Sequence, residues 1–331
     1  MDIRNYRQLK DVAAQRLEQA KDPKRIVLIY ACIVLGLSGL GTVLNLLLSM
    51  QMDQGGGLGS MGQRSTLGAV QALLPIVQSL VGMCLGVGYL AAMLRVARGQ
   101  FASPNTLRLG FDRFWVLLRL TLLRALIFLA IGTAASYAGA MLYVLTPLSK
   151  PVMDLLMPVM EDASILNTGL VISDALYAQL VSAMWPAILI CMAAFGIAVT
   201  PVAYQYRMAE YVLIDKPALG AMAALRESRK MMRRNRFRLF LLDIKQFPYY
   251  LAVLGATVIG YGDTILSALG VPLSISWEAA YLLSTAAYLG LLLLVYTQLR
   301  NRVETVYALA YDAIRPPEQQ TGAVLGNIFQ M

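Results

Sequence analysis

Six apolar stretches, each long enough to cross a lipid bilayer, constrain this chain more than any other feature of its sequence. A transmembrane helix needs roughly 20 consecutive, mostly apolar residues. Of the 331 residues, 58% are hydrophobic and only 14% are charged, so a soluble domain could not cover this much apolar surface. The sequence therefore predicts an all-α polytopic membrane protein with about six transmembrane helices, at residues 26–50, 67–94, 120–146, 179–206, 239–262 and 278–299.

The polar ends of the sequence indicate how this membrane domain is organised. We expect a single integral membrane domain over residues 1–331, with a cytoplasmic amphipathic helix at 1–25, six spans within 26–299, and a cytoplasmic tail at 300–331. Because polar sequence extends to residue 25 before the first apolar stretch, the N-terminus does not resemble a cleavable signal peptide. The first apolar stretch is therefore expected to remain as a membrane anchor.

The distribution of the 28 Lys and Arg residues predicts the orientation of the chain. Basic residues in short loops are retained on the cytoplasmic side of a membrane. Here they concentrate before the first span, between the second and third, between the fourth and fifth, and after the sixth. The opposite side receives only Arg64 and Lys150. Both termini are therefore expected in the cytoplasm.

Three segments have the spacing of amphipathic helices, and one precedes each pair of spans. They are residues 3–20, 104–118 and 217–234, of which the last is the clearest. Asp215 stands at its expected N-cap and Pro217 in its first turn. These segments favour three hairpin units, each introduced by a cytoplasmic helix; alternatively, any membrane protein built of hairpins shows this pattern. One face of the last segment carries small and apolar residues, namely Ala221, Ala224, Leu225, Ser228, Met231 and Met232.

The other face of this segment is basic and supplies the candidate binding site for lipid phosphates. Each cation near an anionic membrane contributes about 1 kcal/mol to binding. The small residues opposite suit contact with another helix better than deep insertion into lipid. The alternative is that these cations only hold the loop in the cytoplasm. The predicted phosphate-binding residues are Arg226, Arg229, Lys230, Arg233 and Arg234.

Two charged residues near the start of the fifth span have two interpretations. Asp243 and Lys245 would be costly inside a bilayer, so they could line a transport path for a small solute or a lipid. Alternatively, the membrane helix begins near Phe247, and both charges lie among the lipid headgroups.

The chain lacks the residues that several other functional classes require. The chain contains no histidine, no phosphate-binding Gly-rich loop and no Gly-x-Ser-x-Gly motif. Its cysteines at positions 32, 84 and 191 lie within apolar stretches, where a thiol commonly acts as a small buried hydrophobe. Its basic residues lack the interleaved aromatics of a nucleic-acid surface. We therefore expect no enzyme, no cofactor, no metal and no nucleic-acid partner.

The segment 206–240 resembles a bacterial family of multi-pass membrane proteins, domain of unknown function 975. In that family, a Tyr and a Met-Ala pair are followed by a Leu-x-Asp-x-Pro turn. An Ala-rich helix with a Ser and two paired Met residues comes next, and a basic turn then precedes a Phe. The family usually has Gly where this chain has Arg233. The resemblance implies membrane topology in a bacterial cytoplasmic membrane and no substrate. The matching residues are Tyr206, Met208, Ala209, Leu213, Asp215, Pro217, Ala224, Ser228, Met231, Met232 and Phe240.

These observations favour a non-enzymatic membrane protein that organises or senses the lipid surface, or scaffolds other membrane proteins. Its expected partners are membrane lipids, anionic ones above all, and membrane proteins. The alternative is a small-solute or lipid transporter that uses the two charges of the fifth span.

Overall fold

The structure, a computed structural model, describes residues 6–20, 22–54, 60–161, 174–268 and 276–315, and all regular elements within these ranges are helical. Single 3-10 turns occupy Pro104–Arg108 and Pro147–Ser149, and a π-helical turn occupies Tyr296–Arg300. The α-helices are α1 (Tyr6–Gln19), α2 (Pro23–Gln54), α3 (Ser60–Ala97), α4 (Leu109–Asp112), α5 (Phe114–Val144), α6 (Lys150–Glu161), α7 (Asp174–Tyr206), α8 (Ala209–Asp215), α9 (Ala221–Met232), α10 (Arg236–Lys245), α11 (Phe247–Gly260), α12 (Gly262–Ala268), α13 (Trp277–Val295) and α14 (Asn301–Ile314).

Five helical segments of the described chain are long and apolar enough to cross a membrane, which confirms the predicted all-α polytopic class. Many of their large apolar side chains are exposed, as expected for helices whose solvent is lipid. The five segments are Pro23–Met50, Gly68–Ala97, Phe114–Val144, Gln179–Asp215 and Glu278–Ile314.

The predicted span at 239–262 is not one long helix. It is divided into α10 and α11 at Gln246, and α11 has 14 residues. At a rise of 1.5 Å per residue, 14 residues extend about 21 Å, less than the roughly 30 Å of a hydrocarbon core. The cause is Pro248 in the first turn of α11, since proline has no N–H to bond the carbonyl four residues earlier.

The described chain forms two compact units, one of residues 1–120 with 208–331 and one of residues 121–207. The first unit is built around the C-terminal half of α3, where Tyr89, Ala92 and Met93 are completely buried. They pack with Ile26 and Val27 from the start of α2. A second buried cluster joins α2, α11 and α13. The core of this unit therefore depends on residues distant in sequence.

A polar network within this core fixes the start of α14. The Tyr89 hydroxyl donates to Oδ1 of Asn301 at 2.7 Å, and the Asn301 side-chain amide donates to the Pro23 carbonyl at 3.2 Å. Beside it, the Arg300 guanidinium lies 4.4 Å from the centre of the Tyr296 ring and 4.8 Å from that of Tyr30. The π-helical turn thus places a cation among aromatic rings.

The second unit contains the greater part of α5, together with α6 and α7. A Cβ added at Gly139 would lie 3.1 Å from the Ala194 side chain, and one added at Gly132 would overlap the Phe195 ring. The Cys191 thiol lies 3.7 Å from the Ser136 carbonyl. Glycines therefore let α5 and α7 approach closely.

Of the other two predicted amphipathic segments, residues 3–20 contain a helix, α1, and residues 104–118 are divided. α1 packs against α14 and α3 and buries Leu9 and Ala13, so protein covers its apolar face. The segment 104–118 is not one helix, because a 3-10 turn, α4 and a break at Arg113 precede α5. Gly110 of α4 lies directly against the backbone of Cys84 in α3, which holds this segment against the core.

Candidate functional site

α9 has the two faces that its sequence predicts. Ala221, Ala224, Leu225, Ser228, Met231 and Met232 are its buried residues. They pack mainly against α8. Because α-helical residues three and four apart share a face, burying this set forces the basic residues outward. The exposed basic residues are Arg226, Arg229, Lys230, Arg233 and Arg234.

Asp215 does not cap this helix, and that prediction is wrong. α9 begins at Ala221 with Gly220 at its N-cap, while Asp215 is the last residue of α8. The Asp215 side chain is only 6% exposed and contacts two arginines. A carboxylate removed from water needs such partners, and this requirement outweighs its preference for a helix N-terminus.

Four of the five predicted phosphate-binding residues line one pocket. Arg226 and Lys230 are one helical turn apart on α9, and Arg233 and Arg234 follow its end. Arg229 is not among the lining residues. The cavity volume is about 730 Å³. We call this cavity the basic pocket; it is lined by Lys216, Ala223, Arg226, Glu227, Lys230, Met231, Arg233, Arg234, Asn235 and Ile314.

The charges of the basic pocket are unbalanced. Glu227 also lines the pocket, but its carboxylate forms an ion pair with Lys216, with 2.5 Å between Oε1 and Nζ. Among the described residues, no ion pair involves Arg226, Lys230, Arg233 or Arg234. Cations that share a concave surface raise the local positive potential and attract anions. The pocket is therefore suited to a ligand with more than one negative charge.

A network of ion pairs lies next to the basic pocket. Arg98, just after α3, contacts Asp215 at 3.0 Å and Asp312 at 2.7 Å, and Arg315 contacts Asp215 at 3.0 Å. The Tyr311 hydroxyl donates to Asp215 at 3.1 Å. Burial opposes the charge of Arg98, but hydrogen bonds and charges from Asp312 and Asp215 prevail and raise the pKa of its guanidinium. The ends of α3, α8 and α14 are joined here.

This network continues directly into the wall of the basic pocket. Lys216 and Ile314, which line the pocket, are the chain neighbours of Asp215 and Arg315. Sequence reasoning missed the network, because its members lie far apart in the chain and follow no periodic pattern. The only local signal is that Asp215 is the single acidic residue of the segment 211–218.

The two residues proposed for a transport path have separate surroundings. Asp243 is half-buried and accepts a hydrogen bond from Tyr307 of α14, whose hydroxyl is also 2.9 Å from that of Tyr250. The Lys245 ammonium lies 5.5 Å from the centre of the Tyr6 ring of α1. Both lie in α10 and precede α11, which begins at Phe247.

Comparison with sequence models of protein families decides where this chain belongs. The model described as "Protein of unknown function (DUF975)" matches residues 3–314. The chain belongs to the DUF975 family. The match covers all the helices described above and agrees with the resemblance found at residues 206–240, although the description assigns the family no activity. Comparisons with curated proteins and with solved structures give no significant match.

Proposed function

We propose that the protein is a non-enzymatic integral membrane protein that binds anionic lipid headgroups and thereby organises or senses the lipid surface. One observation carries this proposal: four cations without ion-pair partners among the described residues surround the basic pocket. For a membrane protein, anionic phospholipid headgroups are ligands within reach of such a surface, and cardiolipin carries two phosphates.

The proposal includes an orientation. The basic residues of 207–238 belong to the loops that the positive-inside rule assigns to the cytoplasm. The basic pocket would then face the cytoplasmic leaflet of a bacterial membrane, where a bound headgroup could be exchanged for that of another lipid. A protein that holds lipids in this way could also serve as a scaffold for other membrane proteins.

Cardiolipin is the appropriate test ligand because its two phosphates match a pocket with several cations. We expect the full-length protein in detergent to retain cardiolipin in native mass spectrometry. Replacing Arg226, Lys230, Arg233 and Arg234 together by Gln should weaken this binding roughly a thousandfold, at about 1 kcal/mol for each cation. Binding to the wild-type protein should also weaken as salt is raised.

A second variant with the same loss of charge controls for non-specific attraction. It replaces Arg7, Lys24, Arg25 and Arg108 by Gln, which are exposed and lie outside the basic pocket. This control should bind cardiolipin nearly as the wild type does. If both variants lost cardiolipin affinity equally, the pocket residues would act only through the overall charge of the surface, and the proposal would be wrong.

A further inference from the structure

A second pocket lies where α1, the junction of α10 and α11, and α14 meet. α1 contributes Tyr6 and Lys10, the junction contributes Lys245 and Gln246, and α14 contributes Arg302. Its volume is about 290 Å³, and it shares no lining residue with the basic pocket. We call it the junction pocket.

The polar side of the junction pocket is positively charged. Lys10, Lys245 and Arg302 are exposed at its edge, and none of them forms an ion pair with a residue that the structure describes. The residues that line the pocket include no carboxylate. Three cations around a small cavity favour a compact anion such as a phosphate.

Gln246 supplies an independent observation. The residue is 4% exposed, and neither its side-chain amide nitrogen nor its amide oxygen has a hydrogen-bond partner among the described residues. Its backbone N–H, in contrast, donates to the Asp243 carbonyl at 3.0 Å. Buried polar atoms are nearly always hydrogen-bonded. A ligand that pairs with both atoms must offer an acceptor and a donor, as a phosphate oxygen next to a hydroxyl does.

The rest of the junction pocket is apolar. Ala13, Pro248, Leu299, Val303 and Val306 form this part of its lining. A free inorganic anion would gain nothing from these residues, whereas the carbon chain of an amphiphile would be removed from water against them. The pocket therefore combines the requirements of a charged headgroup and of an apolar tail.

We propose that the junction pocket binds a phosphate ester that carries a hydroxyl group and an apolar portion, as phosphatidylglycerol does. Lys10, Lys245 and Arg302 attract the phosphate. Gln246 donates to a phosphate oxygen and accepts from the headgroup hydroxyl. The apolar wall contacts the first carbon atoms of the acyl chains. Because its residues are separate from those of the basic pocket, this inference does not depend on the function proposed above.

The full-length protein in detergent can be titrated with three probes and followed by native mass spectrometry. They are short-chain phosphatidylglycerol, phosphatidylcholine of the same chain length, and glycerol 3-phosphate. We expect phosphatidylglycerol to bind about tenfold more tightly than either of the others. Equal binding of the two lipids would overturn the role of the cations. If glycerol 3-phosphate bound as tightly as phosphatidylglycerol, the ligand would be a soluble phosphate ester, and the proposal that the pocket binds a lipid would be wrong.

Variants then test the individual residues. Lys10→Gln and Arg302→Gln should each weaken phosphatidylglycerol binding about fivefold. Arg7→Gln, exposed on the same helix as Lys10 and outside the pocket, should leave it unchanged. If Arg7→Gln weakened binding as much as Lys10→Gln, the site would not be at the pocket.

Gln246→Leu separates binding from folding. An apolar side chain of similar size should keep the melting temperature at or above that of the wild type, because it removes two unpaired polar atoms. Binding of phosphatidylglycerol should nevertheless fall several-fold. A folded Gln246→Leu variant that binds phosphatidylglycerol as the wild type does would contradict the assignment of Gln246.

Discussion

Asp215→Asn is expected to lower the free energy of unfolding by about 3 kcal/mol, the scale seen when one partner of a buried ion pair is removed. The Asp215 carboxylate is 6% exposed and contacts both Arg98 and Arg315 at 3.0 Å. A neutral amide cannot balance these two guanidinium charges. The measurement is unfolding of the full-length protein in detergent, followed by circular dichroism.

The matched control is Asp154→Asn in α6, where the carboxylate is exposed. Exposed substitutions of this kind usually change stability by less than about 0.5 kcal/mol. The loss at Asp215 should also persist at high salt, because buried charges are weakly screened. A loss at Asp215 no larger than that at Asp154 would mean that the network does not hold α3, α8 and α14 together.

Gly110→Ala and Gly88→Ala should each destabilise the protein by about 2 kcal/mol, the usual cost of an added methyl group in a packed core. A Cβ at Gly110 would lie 1.9 Å from the Cys84 carbonyl oxygen, and one at Gly88 would lie 2.3 Å from that of Leu107. Both contacts involve backbone, which cannot move aside as a side chain can. Thermal unfolding of the two variants in detergent measures the effect.

Gly86→Ala and Gly82→Ala are the controls, because a Cβ at either position meets nothing within 4 Å. Both lie on α3 with Gly88. We expect each to be neutral or stabilising by up to about 1 kcal/mol, since alanine favours a helix over glycine. If Gly86→Ala were as harmful as Gly88→Ala, helix composition rather than the close contact with Leu107 would be the cause.

Features set by local periodicity and segment length could be predicted without the structure. The buried and basic faces of α9 follow from the 3.6-residue repeat, and they placed Arg226 and Lys230 on a common outer surface. The long apolar helices follow from the need to satisfy every backbone hydrogen bond within lipid. These are properties of consecutive residues, so the order of the residues suffices to specify them.

The break at Gln246 is an intermediate case. The prediction of one span rests on the high hydrophobicity of 239–262 and takes no account of Pro248, where the structure begins a new helix after Lys245. Proline limits the local backbone, and a hydropathy average over 20 residues does not register that limit. The sequence indicated that the charged residues Asp243 and Lys245 lie near the start of a membrane helix. Only the structure showed that Lys245 lies against α1 and α14.

The sequence by itself determined an all-α membrane protein with a basic amphipathic helix. Tertiary structure alone decided that Asp215 pairs with Arg98 and Arg315, that Gly110 contacts Cys84, and that the junction pocket forms at Gln246. The physical reason is that helix formation and burial in lipid depend on neighbours within a few turns. Ion pairs, close backbone contacts and cavities instead depend on which distant helices pack together, and residue spacing along the chain carries no record of that choice.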